Sequence, residues 1–155
     1  MADYLLVIDM QTDYVGEKKG YPASLLTAVN TKISAYPKDH VVYVVNRFFW
    51  ELNSKPKTLA QGLSVVSDHI FEKRRASCLT SPALQDFLEN CRVQSLEVIG
   101  VDGNGCVKAS VLALAQKGYQ VTADLKGIGV LHQKRFEKTL AQWRSAGIAT
   151  KGELP

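Results

Sequence analysis

Three side chains in this sequence could do chemistry together if the fold brought them into contact: Cys106, Asp9 and Lys73. Cys106 follows Gly103-Asn104-Gly105, a turn that separates an apolar run, Leu96 to Val101, from a run of helix-forming residues, Val107 to Ala115. A glycine turn from a strand into a helix presents the first helical residue at the mouth of a crevice, next to unpaired backbone N–H groups and the positive end of the helix dipole. A thiol placed there is expected to ionise more easily than a free cysteine. The plain reading of such a Cys is a small buried side chain opening a core helix. A thiolate nucleophile also needs a base for its proton and a cation beside its charge. A carboxylate, Asp9, closes the apolar run Tyr4-Leu-Leu-Val-Ile8, and an ammonium, Lys73, closes His69-Ile-Phe-Glu-Lys73. Taken singly, Asp9 is a turn former and Lys73 a surface lysine with a buried stem. Their value lies in occurring with the cysteine turn.

These residues depend on the elements that carry them. Tyr4–Ile8 and Val41–Val45 are continuous apolar runs of the kind that form strands covered on both faces. His69–Lys73, Leu96–Val101, Tyr119–Ala123 (closed by Asp124) and Ile148–Thr150 give four more strands. Helices are expected from Pro22 to Pro37, with Leu25, Leu26, Val29 and Ile33 at helical spacing, from Pro82 through Leu88, from Val107 onward, and from Leu131 to Ala146. Strands alternating with helices predict an α/β fold, a doubly wound and mainly parallel sheet with helices on both faces. In such sheets ligands bind beyond the carboxyl ends of the strands, where the strand order reverses. Asp9, Asn46, Lys73 and Cys106 all fall at or just after predicted carboxyl ends.

The remaining composition narrows the classes. The 155 residues predict one domain spanning 1–155. With 46% hydrophobic and 22% charged residues the chain reads as globular and soluble. A net charge of +4, scattered except for Lys73-Arg74-Arg75 and Lys134-Arg135, predicts no nucleic-acid partner. No apolar stretch is long enough for a membrane span, and the first residues do not make a signal peptide. Three Cys without paired spacing predict a reduced, cytoplasmic setting. Cys91 is expected to pack at a helix end and Cys78 to line the wall of the site. The three histidines fall at element starts, so a Cys–His pair has no support. A phosphotransferase of the Asp-x-Asp type would need Asp where Gln11 stands, and a dinucleotide turn would need Gly where Lys108 stands.

Three segments carry a family resemblance. Leu5-Leu-Val-Ile-Asp-Met-Gln-Thr-Asp-Tyr14, Phe71-Glu-Lys-Arg-Arg-Ala-Ser-Cys-Leu79 and Val98-Ile-Gly-Val-Asp-Gly-Asn-Gly-Cys-Val107 resemble, in order and spacing, the catalytic segments of the isochorismatase-like cysteine hydrolases. This is the superfamily of nicotinamidases and N-carbamoylsarcosine amidohydrolase. The resemblance implies a sheet of about six strands and a catalytic set of Asp9, Lys73 and Cys106. It also implies a cis peptide between Val101 and Asp102, an oxyanion hole made by the N–H groups of Asp102 and Cys106, and a homo-oligomer, dimer or tetramer. The implied activity is cleavage of a C–N amide or carbamoyl bond in a small molecule through a Cys thioester. The alternative is a catalytically silent member that binds a small molecule or a protein.

The chain also departs from the pattern. Nicotinamidases have an Asp-x-His metal pair after the second strand, whereas this chain has Asn46-Arg47-Phe48, so neither a metal nor another cofactor is expected. Gly103-Asn104 replaces the usual Thr-Asp, and Ala76 and Leu79 replace aromatics around Ser77. Asn46, Arg47, Phe48, Trp50 and Ser77 are the candidate substrate-binding residues. Arg47 beside Phe48, Phe49 and Trp50 could clamp a carboxylate, which predicts an anionic substrate. Side chains alternate, however, so only one of Asn46 and Arg47 can face inward on an extended backbone.

Overall fold

The computed structural model describes every residue from Met1 to Pro155. Six strands, β1 (Tyr4–Ile8), β2 (Val41–Asn46), β3 (Ile70–Lys73), β4 (Ser95–Val101), β5 (Gln120–Gly129) and β6 (Ala149–Lys151), form one sheet. Their spatial order is β3-β2-β1-β4-β5-β6, and every neighbouring pair is parallel. The order reverses between β1 and β4, so a crevice must open beyond their carboxyl ends.

The alternation of side chains along the strands sorts the core into two layers. Leu6, Ile8, Val42, Val44 and Val98 pack on one face against α2 (Pro82–Asn90), α3 (Cys106–Lys117) and α4 (Gln133–Ser145), whose Leu84, Leu88, Val107, Val111, Leu114, Phe136 and Trp143 are buried there. Leu5, Val7, Val41, Tyr43, Ile99 and Val101 face the other way, onto Leu25, Val29 and Ile33 of α1 (Ser24–Ser34). The helices thus cover both faces, but unevenly. The β2–β3 connection has no helix, and Ala60 and Leu63 from that connection fill the space beside α1.

Local chemistry explains several boundaries. The Ser81 hydroxyl accepts from Leu84 N at 3.2 Å and Pro82 opens α2, a capped start with preset φ. Gly118, at φ 106°, ends α3 in the left-handed region. Gly100, at φ 125°, packs so closely on β1 that a Cβ there would lie 2.1 Å from the Ile8 carbonyl oxygen. No other residue would let β1 and β4 come this close just below the crevice.

One strand expectation needs correction. β5 does not stop before Asp124 but continues to Gly129. Ala123 lies opposite Val98 and Ile128 opposite Gly100, so the intervening residues bulge. Asp124 is a misleading stop signal because its carboxylate is neutralised inside the fold by Lys32, at 2.6 Å.

Candidate active site

Four strand ends supply the cluster. Asp9 follows β1 in a left-handed turn (φ 54°), a conformation aspartate tolerates better than most side chains. Asn46 is the last residue of β2 and Lys73 the last of β3, paired directly opposite each other. Cys106 opens α3 after β4. Lys73 is completely buried and Asp9 almost so, while Cys106 is half-buried.

Lys73 is the hub. Its Nζ lies 3.2 Å from Asp9 Oδ2, 3.2 Å from Cys106 Sγ, 3.1 Å from Asn46 Oδ1 and 3.1 Å from the Arg75 carbonyl oxygen. The long side chain reaches past β2 to β1, and Asn46 on the intervening strand helps fix its end. A buried ammonium is tolerable only with such a set of acceptors. Lys73→Met would leave Asp9 buried without its cation. We expect a loss of about 3 kcal/mol, at the lower end for a broken buried pair because the carboxyl can protonate. Urea unfolding of Lys73→Met and of the Asp9→Asn/Lys73→Met double variant checks this, with the double variant recovering part of the loss.

Burial, opposed by the Lys73 charge, raises the Asp9 carboxyl above its ordinary value. Asp9 Oδ1 is buried and accepts from no protein donor, so it remains available as a proton acceptor. The Cys106 thiol is pushed up to about 12, first by burial and then by the Asp9 charge, with Lys73 pulling the other way. This corrects the expectation from the helix terminus alone. The resting thiol holds its proton because the carboxylate beside it and the dry surroundings outweigh the cation and the dipole.

The Val101–Asp102 peptide is cis. Around the turn, Gly105 N and Val107 N both donate to the Asp102 carbonyl oxygen, at 2.9 and 3.1 Å. The N–H groups of Asp102 and Cys106 donate to no protein acceptor. Both free amides belong to the turn that carries the thiol.

Among the candidate substrate residues, Asn46 faces the cluster and Arg47 does not. The Arg47 guanidinium is buried, with Nε 2.9 Å from Glu72 Oε1, Nη1 2.7 Å from the Asn53 carbonyl oxygen, and Nη2 on the Lys55 carbonyl oxygen. Its donors are spent on folding the β2–β3 connection, so the clamp is not formed, and the anionic-substrate expectation loses its basis. Phe48 stacks on Trp50 with ring centroids 4.3 Å apart. Trp50 and Phe49 are exposed. The Ser77 hydroxyl accepts from Leu79 N and so caps the short 3-10 turn at residues 78–80. Cys78, the first residue of that turn, is fully buried, and Cys91 is exposed, against the expectation that it packs.

Sequence reasoning missed two polar partners. The Gln11 amide bonds both main-chain groups of Asn46, accepting from its N–H at 2.7 Å and donating to its carbonyl oxygen at 3.0 Å. It ties the turn after β1 to the end of β2. Asn46 Nδ2 in turn donates to the Tyr14 hydroxyl at 3.0 Å. The signal was there, since Gln11 and Tyr14 are spaced like Asp9 along one turn-rich segment. Gln11 was read only as the absence of a second Asp.

A zinc site does not fit this chain. Asn46 and Phe48 stand where the metal pair of nicotinamidases would be, and no three His, Cys, Asp or Glu side chains converge so as to hold an ion. A cavity of about 610 Å³ is lined by Val15, Tyr21, Leu25 and Leu26 among others, and none of Asp9, Lys73 or Cys106 lines it.

A doubly wound parallel sheet with a carboxylate, an ammonium and a thiol gathered at its switch point defines an α/β protein with an acid–lysine–cysteine site. The family model for the isochorismatase domain matches residues 3–150, and the chain belongs to the isochorismatase family of hydrolases. Among curated proteins, none matches the sequence. Solved structures share the fold. The nicotinamidase of Bacillus subtilis superposes with a TM-score of 0.80 at 16% identity, covering 98% of this chain and 100% of that one. The nicotinamidase of Staphylococcus aureus gives 0.76 at 21% identity, covering 99% and 100%. A pyrazinamidase of Pyrococcus horikoshii in complex with zinc gives 0.79 at 19% identity, covering 97% and 99%. No helix of this chain is long and apolar enough to cross a membrane.

Proposed function

We propose that this chain is a cysteine hydrolase that cleaves a C–N amide or carbamoyl bond of a small molecule through a thioester on Cys106. The observation that carries the proposal is the buried Lys73 ammonium at 3.2 Å from both the Asp9 carboxylate and the Cys106 sulfur. A structural ion pair has no need of a thiol at its edge, whereas a nucleophile does need both neighbours.

In this reading Asp9 takes the thiol proton as sulfur attacks the substrate carbonyl carbon. The C=O π pair moves onto oxygen, and the oxyanion is met by the N–H groups of Asp102 and Cys106. The intermediate collapses as Asp9 passes its proton to the leaving nitrogen, and ammonia or an amine departs from the thioester. Water then attacks the thioester while Asp9 accepts its proton. The second intermediate expels the sulfur, which recovers a proton from Asp9 as the acid product leaves. Lys73 holds charge on sulfur and carboxylate in turn, and no step calls on a metal. Asn46 orients Lys73, and the stacked Phe48 and Trp50 form a wall for an apolar substrate body.

Ammonia release should be measured over a panel of small amides, including nicotinamide, pyrazinamide and carbamoyl compounds, with and without EDTA. The expected result is release from at least one compound, undiminished by EDTA and lost after alkylation of Cys106. Thiol alkylation without hydrolysis of any panel member would favour the silent binding alternative.

A further inference from the structure

The free amide of Asp102 has an unusual neighbour, its own carboxylate, beside a place where negative charge is to develop. That carboxylate is held by three donors. Oδ2 accepts from the Tyr21 hydroxyl at 2.9 Å and from Leu131 N at 2.9 Å, and Oδ1 accepts from Asn104 N at 2.8 Å. The donors come from three separate segments: the β1–α1 connection, the turn before Cys106, and the β5–α4 connection. Of these, Tyr21 alone is a side chain, and it lies 81 positions away in sequence. Burial and the neighbouring carboxylate raise its phenol, so it remains a donor at any working pH.

We propose that Tyr21 is a positioning residue for the oxyanion hole, holding the Asp102 carboxylate so that the Asp102 N–H points at the reacting carbonyl oxygen. This rests on the hydrolase reading above. Two physical effects act together. The hydrogen bond fixes the rotation of the Asp102 side chain, and through it the plane of the peptide that carries the N–H. It also draws the carboxylate's charge toward Tyr21 and away from the forming oxyanion, which would otherwise be repelled at short range. Without the hydroxyl, one backbone donor would remain on each oxygen, Asn104 N on Oδ1 and Leu131 N on Oδ2, and Oδ2 would lose its only donor from the β1–α1 connection.

An aldehyde separates this role from thiol reactivity. A small aldehyde such as propionaldehyde adds the Cys106 sulfur to its carbonyl carbon, and the thiol proton ends on the new oxygen by way of Asp9. The thiohemiacetal places that oxygen in the oxyanion hole. Iodoacetamide forms an S–C bond with loss of iodide and has no oxyanion. Aldehyde affinity, read as protection of Cys106 from iodoacetamide, is compared with the alkylation rate in wild type, Tyr21→Phe, Asp102→Asn and the double variant. The expected result is about a tenfold weaker aldehyde complex in Tyr21→Phe, the scale of a small misplacement of a catalytic group, at an unchanged alkylation rate. The double variant should be no weaker than Asp102→Asn, because both changes break the same link. With a substrate from the amide panel, kcat should fall with KM preserved.

Equal aldehyde affinity in wild type and Tyr21→Phe would overturn the role of Tyr21 and leave the hydrolase reading standing. A parallel fall in both reactions would make Tyr21 a general support of the fold and overturn it equally. Wild type that is alkylated at Cys106 yet binds no aldehyde would remove the oxyanion hole, and this inference with it. Should Tyr21→Phe fail to fold, Tyr21→Leu, which also lacks the hydroxyl, carries the same comparison, and unchanged aldehyde affinity there would overturn the proposal.

Discussion

Cys106→Ala is expected to hydrolyse no amide that the wild type cleaves, with a fall in kcat of about 10⁴-fold or more. The size follows from losing the covalent route altogether, since no second thiol can substitute. Cys78 is fully buried and raised to about 11 by burial, and Cys91 is exposed on the far end of α2. Removing a nucleophile costs more than removing any one group that assists it. The fold should survive, because Cys106 is half-buried at the first position of α3 and alanine is the best helix former. Ammonia release measured beside a thermal unfolding curve checks both halves. Substantial turnover by a folded Cys106→Ala protein would mean that another group attacks the substrate.

Asp9→Asn should move two properties of the same thiol in opposite directions. Hydrolysis should fall by about 10²–10⁴-fold, the usual worth of a positioned general base. Alkylation by iodoacetamide at neutral pH should become faster. The Asp9 charge is one of the causes that hold the thiol near 12, and its removal leaves the Lys73 cation unopposed, so the thiol pKa falls and the thiolate fraction rises. Slower alkylation in Asp9→Asn would show that the carboxylate activates the resting thiol and would contradict this account.

The same carboxylate sets the pH behaviour. In the proposed mechanism hydrolysis needs Asp9 ionised, and its pKa lies above the ordinary 3.8. Wild-type activity should therefore fall as the pH is lowered through that raised value. Stability runs the other way. Above about pH 3.8 the unfolded chain has released the Asp9 proton while the folded chain retains it, so the folded state binds more protons. Stability from this group is fully present below the unfolded pKa and declines as pH rises to the folded one. Asp9→Asn should flatten that decline in a series of urea midpoints.

Much of this arrangement was legible from residue types. The apolar runs before Asp9 and before Asn46 are unmixed, as strands buried on both faces must be, the run before Cys106 is broken only by Glu97, and all three became sheet strands. The positions of Asp9 and Cys106 at strand ends followed from those runs, and that of Lys73 from the separate run His69–Lys73. What stayed hidden depends on partners distant in sequence. Arg47 beside three aromatics looked like a ligand clamp, and only the fold reveals Glu72 and the Asn53 and Lys55 carbonyls around it. Asp124 looked like a strand stop because Lys32, its counter-charge, lies on α1. The thiol's raised pKa was misjudged for a related reason. A helix terminus is visible in sequence, but the closeness of Asp9 and the dryness of the pocket are products of packing. Tyr21 gave no signal, since nothing local to it points to Asp102.

The direct pairing of Asn46 with Lys73 at the ends of β2 and β3 would make the proposed catalysis a gauge of assembly. Strand side chains alternate between faces, so a slip of β3 by one residue would turn Lys73 to the opposite face and put Glu72 or Arg74 in its place. β3 is a short edge strand of four residues, held on one side only, so few pairs fix its register. A chain misaligned there would keep nearly all of its core and its helical content, and would carry a cysteine without Lys73 beside it. The specific activity of a refolded sample would then count correctly registered molecules, a quantity to which circular dichroism is nearly blind.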